Sequence, residues 1–442
     1  MKFKFQFKDN FTEFLEVNLY KFLAIFFNIL IIVLLSNKLD KIELSEYSKI
    51  YLWCNIFLLI SSSGLNLFFF QQFNNKEKIR QLINFLTLDY VIINLLIFIF
   101  LFITELKYFF FGFEINIFLF FLFFNSSFTL ILLSLISKKN IGINKTTIFE
   151  NLLKNFLFFS VIFYIFFINI KYIDNYNIIV GYTISCYLLS LILFIKNFSF
   201  LKYIYSIKNN KKFFNYFKIF YSIRIKQSIL SFLNTIQMNL PIIFFSYYKM
   251  NLLIADYHIV LILIMFLRYV NANIDINIFD KFLKNNKNIK KLVNIVGDSY
   301  IISLPYVLIL SVSIFVFWNF INLYIFDSKF YFNKITLILI LLLFYSNFIF
   351  GFNHLFYISV TKNINKYLFL CFILIIVSSF LFIYFFENLS LNLSIAFMIL
   401  ASLLRNLWLH FYLKSIKIDV SIFNKNIIYY LSSKIFNLIK KI

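Results

Sequence analysis

Apolar runs of about 20 residues recur roughly twelve times along this chain, each ended by a short, mostly cationic connection. At 1.5 Å per residue, a helix of ~20 residues crosses a ~30 Å hydrocarbon layer. A water-soluble domain carries about 25% charged residues; this chain carries 14%, with 62% hydrophobic residues and a mean hydropathy of +0.86. The spacing places spans near 18–36, 49–71, 82–104, 115–137, 150–170, 177–196, 227–247, 252–274, 297–323, 335–357, 367–386 and 391–413. The runs show no period-two alternation, which excludes barrel strands. The expected fold is an all-α integral membrane protein of about 12 transmembrane helices.

The net charge of +23 would suggest nucleic acid in a soluble chain. Here the cations lie between apolar runs, as the positive-inside bias requires, and no nucleic-acid partner is expected. With the N-terminus taken as cytosolic, the inner connections hold 30 Lys and Arg and the outer ones 8. That asymmetry puts both termini in the cytosol. The most basic connection, Lys196 to Lys226, holds eight cations and no acid. It reads as a cytosolic linker (196–226) between an N-terminal six-helix bundle (1–195) and a C-terminal one (227–413). The tail, 414–442, mixes apolar residues with Lys and suits an amphipathic segment lying on the inner leaflet among membrane lipids.

The two halves read as tandem copies. EYSKIYL (46–52) parallels DYHIVLI (256–262), FFFQQF (68–73) parallels NIFDKF (277–282), and QLINFLTLDYVI (81–92) parallels KLVNIVGDSYII (291–302). The offset aligns Tyr47 with Tyr257 and Tyr90 with Tyr300. Since both halves start inside, the repeat is parallel, an architecture that places a substrate path between two bundles.

Enzyme chemistry has no foothold. P-loop, HExxH and nucleophile-elbow motifs are missing, and outer connections stay within about 15 residues. No cofactor is expected, and no metal: Cys54, Cys186 and Cys371 all lie inside apolar runs without metal-binding spacing.

Ionisable residues inside spans are the functional candidates, because placing them there is costly. Four cations qualify: Lys21, Lys154, Arg268 and Arg405. Lys21 and Lys154 lie within about one turn of the inner surface, where snorkelling competes with a binding role. Arg268 and Arg405 lie deeper, and a guanidinium fork suits phosphate oxygens. Asp89 and Asp298 enter the third and ninth spans at nearly matching repeat positions, suited to pairing with cations or holding a coupling ion. Asp256 and His258 lie near the outer end of the eighth span. In the seventh, Ser228, Ser231, Asn234 and Gln237 recur every three residues, followed by Asn239 and by Pro241, which permits a bend. That helix reads as a polar stripe suited to a gate, with amides for sugar hydroxyls.

EYSKIYL followed by SSSGLNLFFFQQF (61–73), with Tyr47 and Gly64, and the hairpin NLPIIFFSYYKMNLLIADYHIVLIL (239–263) resemble the Wzx-type polysaccharide (O-antigen) flippases. These form a branch of the multidrug/oligosaccharidyl-lipid/polysaccharide exporter superfamily. The chain departs from them with Lys49 beside that Tyr and in its poverty of Gly and Pro. The resemblance implies a polyprenyl-diphosphate-linked oligosaccharide, flipped across the bacterial inner membrane by alternating access. Partners would be a glycan polymerase and its co-polymerase. Arg268 and Arg405 would contact the diphosphate with Lys21 and Lys154 as helpers. Three other readings stay open: a drug or cation extruder, which would want deep acidic residues; a membrane glycan polymerase or ligase, which would want outer loops; and a purely structural membrane subunit, which would not need intramembrane arginines.

Overall fold

A computed structural model describes residues 23–24, 26–28, 30–31, 33–62, 90–92, 94–96, 98–99, 117–140, 143–168, 175–206, 213–267, 289–350, 364–415, 429 and 432. Among the described residues the regular elements are helical. They are α1 (Lys41–Ser62), α2 (Ile117–Asn140), α3 (Ile143–Ile168), α4 (Asn175–Ser206), α5 (Phe213–Tyr247), α6 (Asn251–Leu267), α7 (Ile289–Tyr324), α8 (Lys334–Phe348), α9 (Ile364–Tyr384) and α10 (Leu391–Ser415), with a 3₁₀ turn at Phe386–Asn388. Six of these contain a stretch long and apolar enough to cross a membrane: α2, α4, α5, α7, α9 and α10. Shorter apolar helices cover α6, α8 and residues Leu152–Tyr164 of α3.

Local chemistry explains where several helices begin and end. α1 starts eight residues before the expected span. Asp40 Oδ1 accepts the Glu43 amide at 2.7 Å, and Glu43 Oε2 accepts the Asp40 amide at 3.0 Å. This reciprocal capping box starts a helix where charge density suggested a loop. Asn333 caps α8 through its Oδ1, which accepts the Thr336 amide at 2.8 Å and the Thr336 hydroxyl at 2.9 Å. At the end of α5, Lys249 adopts φ 57°; its N–H reaches Ser246 O at 3.2 Å, and the Met250 N–H reaches Phe245 O at 2.8 Å. That pair of bonds is a Schellman stop, built here on lysine in a chain with six glycines.

The basic connection between α4 and α5 is largely helical: α4 runs on to Ser206 and α5 starts at Phe213. Both helices exceed the length needed to cross a bilayer, as does α7 with 36 residues, about 54 Å. Pro241 lies inside α5, buried, and the helix continues through it.

The chain divides into two compact units, 1–255 and 256–442. In the first, α2 packs most extensively on α4, α3 lies against both, and α1 packs on α2 and α5. Leu130, Cys186, Leu189 and Leu193 form a core there, with Leu153 and Leu157 against it. Hydroxyls inside these helices bond back to their own carbonyls, as Ser185 does to Gly181 O and Ser190 to Cys186 O, both at 2.7 Å. In the second unit α8 packs most extensively on α10, and α9 also lies against α10. Trp318, 2% exposed, stacks on Phe332 at 4.9 Å and ties the end of α7 to the loop beyond it. Large apolar side chains stand exposed along α7 (Ile309, Val312, Val316, Phe320) and α9 (Phe369, Phe372, Ile376, Phe380). Such surface is stable against lipid and costly against water.

Candidate functional site

Lys154 sits on α3, and its environment replaces the snorkelling expectation. Its amino group donates to Tyr182 Oη at 3.3 Å and lies 5.3 Å from that ring's centroid. The Tyr182 ring in turn stacks on Phe123 at 4.6 Å and meets Phe158 edge-on at 5.1 Å. Ser127 and Cys186 adjoin Tyr182, and Tyr47 and Tyr51 of α1 lie close enough to interact electrostatically with the same group. The next residue, Asn155, donates to Ala24 O at 2.8 Å and fixes the rotation of α3. The ammonium therefore turns into the helix packing of the first unit rather than out to headgroups. Among the described residues none of its partners is a carboxylate.

Arg405 lies on α10, ten residues before its end, about 15 Å inward. It turns toward α8, where its Nη2 donates to Asn347 Oδ1 at 2.7 Å. The same amide oxygen accepts from Ser402 Oγ at 2.8 Å and Asn406 Nδ2 at 3.4 Å. Asn406 also donates to Ser346 O at 2.9 Å, and the Ser346 and Ser402 hydroxyls meet at 3.1 Å. Tyr367 and Cys371 of α9, both buried, flank this network. Four polar residues on two helices, Ser346, Asn347, Ser402 and Asn406, thus form the network that meets the guanidinium through Asn347.

The polar stripe on α5 does not survive as a single face. A three-residue step falls short of the 3.6-residue turn, so Ser228 and Gln237 lie about 180° apart around the helix. Gln237 is 1% exposed and its Oε1 has no hydrogen-bond partner among the described residues. Asn234 is half-buried, and Asn239 spends its Nδ2 on Thr235 O at 2.8 Å, within its own helix. Asp256 and His258 are half-buried on α6, and Asp298 lies within α7. Lys21, Asp89 and Arg268 fall outside the described residues.

Sequence reasoning missed Lys49. Counted with the outer loops, it is 4% exposed within α1 and donates to Asn251 Oδ1, at the start of α6, at 2.9 Å. It missed Asn347, Asn406 and Tyr182 as well, since neutral side chains inside apolar runs announce no role until their partners are known.

No family model matches the chain, and no curated protein matches it. Among solved structures it matches the lipid II flippase MurJ in an inward closed conformation, with a TM-score of 0.61 over 91% of this chain and 87% of that one, at 15% identity. At that identity the likeness establishes the fold: this chain is built as that flippase is.

Proposed function

We propose that this chain is a flippase for a polyprenyl-diphosphate-linked oligosaccharide, a repeat unit of O-antigen, capsule or another surface glycan. It carries the unit from the inner to the outer leaflet of a bacterial cytoplasmic membrane. The observation that carries this reading is the fold, shared over nearly the whole chain with a lipid II flippase. It supports a transporter rather than an enzyme, within the exporter superfamily; the Wzx-type branch rests on the motifs around Tyr47, Gly64 and 239–263.

Two halves, 1–195 and 227–413, alternate access around the basic linker 196–226, with both termini and the tail 414–442 on the cytosolic side. Packing supports a repeat. In the first unit the fourth span lies against the sixth (α2 on α4), and in the second the tenth lies against the twelfth (α8 on α10). Tyr90 stacks on Phe128 at 5.1 Å, and its repeat mate Tyr300 meets Phe348 at 5.8 Å.

Arg405, Arg268, Lys154 and Lys21 supply positive potential for the diphosphate. Asn234, half-buried on α5, offers an amide to sugar hydroxyls, and Asp89, Asp298, Asp256 and His258 couple an ion or gate the path with Pro241. An inside-negative potential drives an anion outward by about 2.3 kcal/mol per charge per 100 mV. A glycan polymerase and co-polymerase would take the product.

Deletion of the gene tests the reading. Lipid-linked oligosaccharide then accumulates on the cytosolic leaflet. Accumulation of unpolymerised units on the outer leaflet would instead identify a polymerase, and unchanged surface glycan with lost drug resistance an extruder.

A further inference from the structure

Lys49 ties together two stretches that the tandem reading of the sequence assigns to different halves. It sits on α1, and its amino group donates to Asn251 Oδ1 at 2.9 Å across 202 residues of chain. Lys49 is 4% exposed, and Glu46, one turn earlier on α1, attracts the same ammonium. By sequence α1 belongs to the first half, whereas α5 and α6 open the second. Yet α5 packs on α1, and the compact unit 1–255 takes in the whole of α5. The bond stands at one end of that contact: Lys49 lies eight residues, about 12 Å, from the start of α1, and Asn251 is the first residue of α6. A tight turn brings the amide there. Left-handed Lys249 leads the chain out of α5, the Met250 N–H closes on Phe245 O at 2.8 Å, and Met250 O receives the Leu253 N–H at 3.1 Å. Leu44, Ser45 and Ser48 of α1 are buried beside it, as are Ile254 and Ala255 of α6. A bond from a charged donor to a neutral acceptor is stronger than a neutral pair and weaker than an ion pair. It can favour one arrangement of two helices and still release it.

We propose that the Lys49–Asn251 bond is a latch, which holds α1 against the α5–α6 turn in one state of a transport cycle and opens in another. The inference rests on the flippase reading for what the cycle carries and on this contact for the latch. Asparagine sets its strength. An aspartate at 251 would present nearly the same shape, form a charge-assisted pair with Lys49 and fasten the latch, and alanine would release it.

Distances between spin labels on I42C and L252C test it, measured by electron paramagnetic resonance on the full chain in lipid, with thermal unfolding alongside. Ile42 and Leu252 are exposed, at 50% and 58%, while Cys54, Cys186 and Cys371 are buried and stay unlabelled. The labelled chain shows two distance populations. N251A shifts their ratio at least fivefold towards the longer. N251D shifts it at least fivefold towards the shorter, and lowers surface glycan at matched expression although it unfolds at an equal or higher temperature. A purely structural bond would leave the distances in place, and N251A would only lower the unfolding midpoint. One population, unmoved by N251A and N251D, overturns the latch; should N251A fail to fold, an unshifted ratio in N251D does so alone. Distances that respond as stated, in a chain whose deletion leaves surface glycan unchanged, keep the latch and overturn the flippase reading.

Discussion

Replacing Lys154 with Met should make the protein more stable and a poorer transporter. The side chains have similar length, and Met keeps the apolar packing beside Leu153, Leu157 and Tyr182. What is lost is a hydrogen bond at the long end of the range, 3.3 Å, contributing about 0.5–1.5 kcal/mol. A cation–π contact at 5.3 Å is lost too, contributing about 2 kcal/mol when desolvated. Against these stands the effective cost of removing an ammonium from water, several kcal/mol per ion. With no carboxylate among its described partners, the balance favours Met by about 1–3 kcal/mol. Unfolding can be followed with a thiol-reactive fluorophore, because Cys54, Cys186 and Cys371 are all fully buried and label only when the fold opens. Surface glycan at matched expression should fall about tenfold, the equivalent of ~1.4 kcal/mol in rate. A loss of stability beyond ~2 kcal/mol would refute the reasoning, since the ammonium would then hold the bundle together. Normal glycan in a folded variant would remove Lys154 from the transport path.

Three further outcomes follow from local geometry. Lys249→Gly should raise the unfolding midpoint, because glycine takes the left-handed C′ position without the ~1 kcal/mol that a side chain costs there. Trp318→Ala should cost about 3–5 kcal/mol and loosen the α7–α8 loop, detectable as faster hydrogen exchange at Phe330 and Phe332. Asn251→Ala should cost about 1.5–3 kcal/mol by removing a hydrogen bond to the charged, buried Lys49 ammonium, and Asn251→Gln should restore part of it in the same unfolding assay.

Several spans could be read directly, because length and hydropathy are properties of a segment by itself. α4, α5, α9 and α10 fall where the apolar runs do. The start of α1 could not be read that way: Lys38, Asp40, Lys41, Glu43 and Glu46 look like a loop until Asp40 and Glu43 are seen to bond each other's amides. Burial of Lys49 escaped for a related reason. A cation at the margin of an apolar run reads as exposed unless its acceptor, 202 residues away, is known. Arg405 was identifiable from cost alone, since an arginine ten residues inside a span demands an explanation. Its orientation depended on Asn347, 58 residues earlier, in a run whose hydropathy one asparagine hardly alters. Periodicity misled once: a step of three looked like a stripe on α5, yet it winds halfway around the helix between Ser228 and Gln237.

The choice of partner for these cations carries chemical meaning. Lys154 bonds to a phenol and Arg405 to an amide, whereas Lys49 bonds to an amide and also interacts with the Glu46 carboxylate. A carboxylate would form the stronger bond in each place, and the chain does carry 19 of them. Pairing with a carboxylate, however, closes the electric field within the pair, and the site then offers nothing to a third charge. A neutral oxygen satisfies a donor and fixes its direction while leaving the monopole intact, at the expense of stability. A chain that exported cations would need the reverse arrangement, carboxylates held by hydroxyls and amides. The two arrangements therefore differ in the sign of the group that a neutral oxygen holds, and on α3 that group is the Lys154 ammonium, held by the Tyr182 hydroxyl.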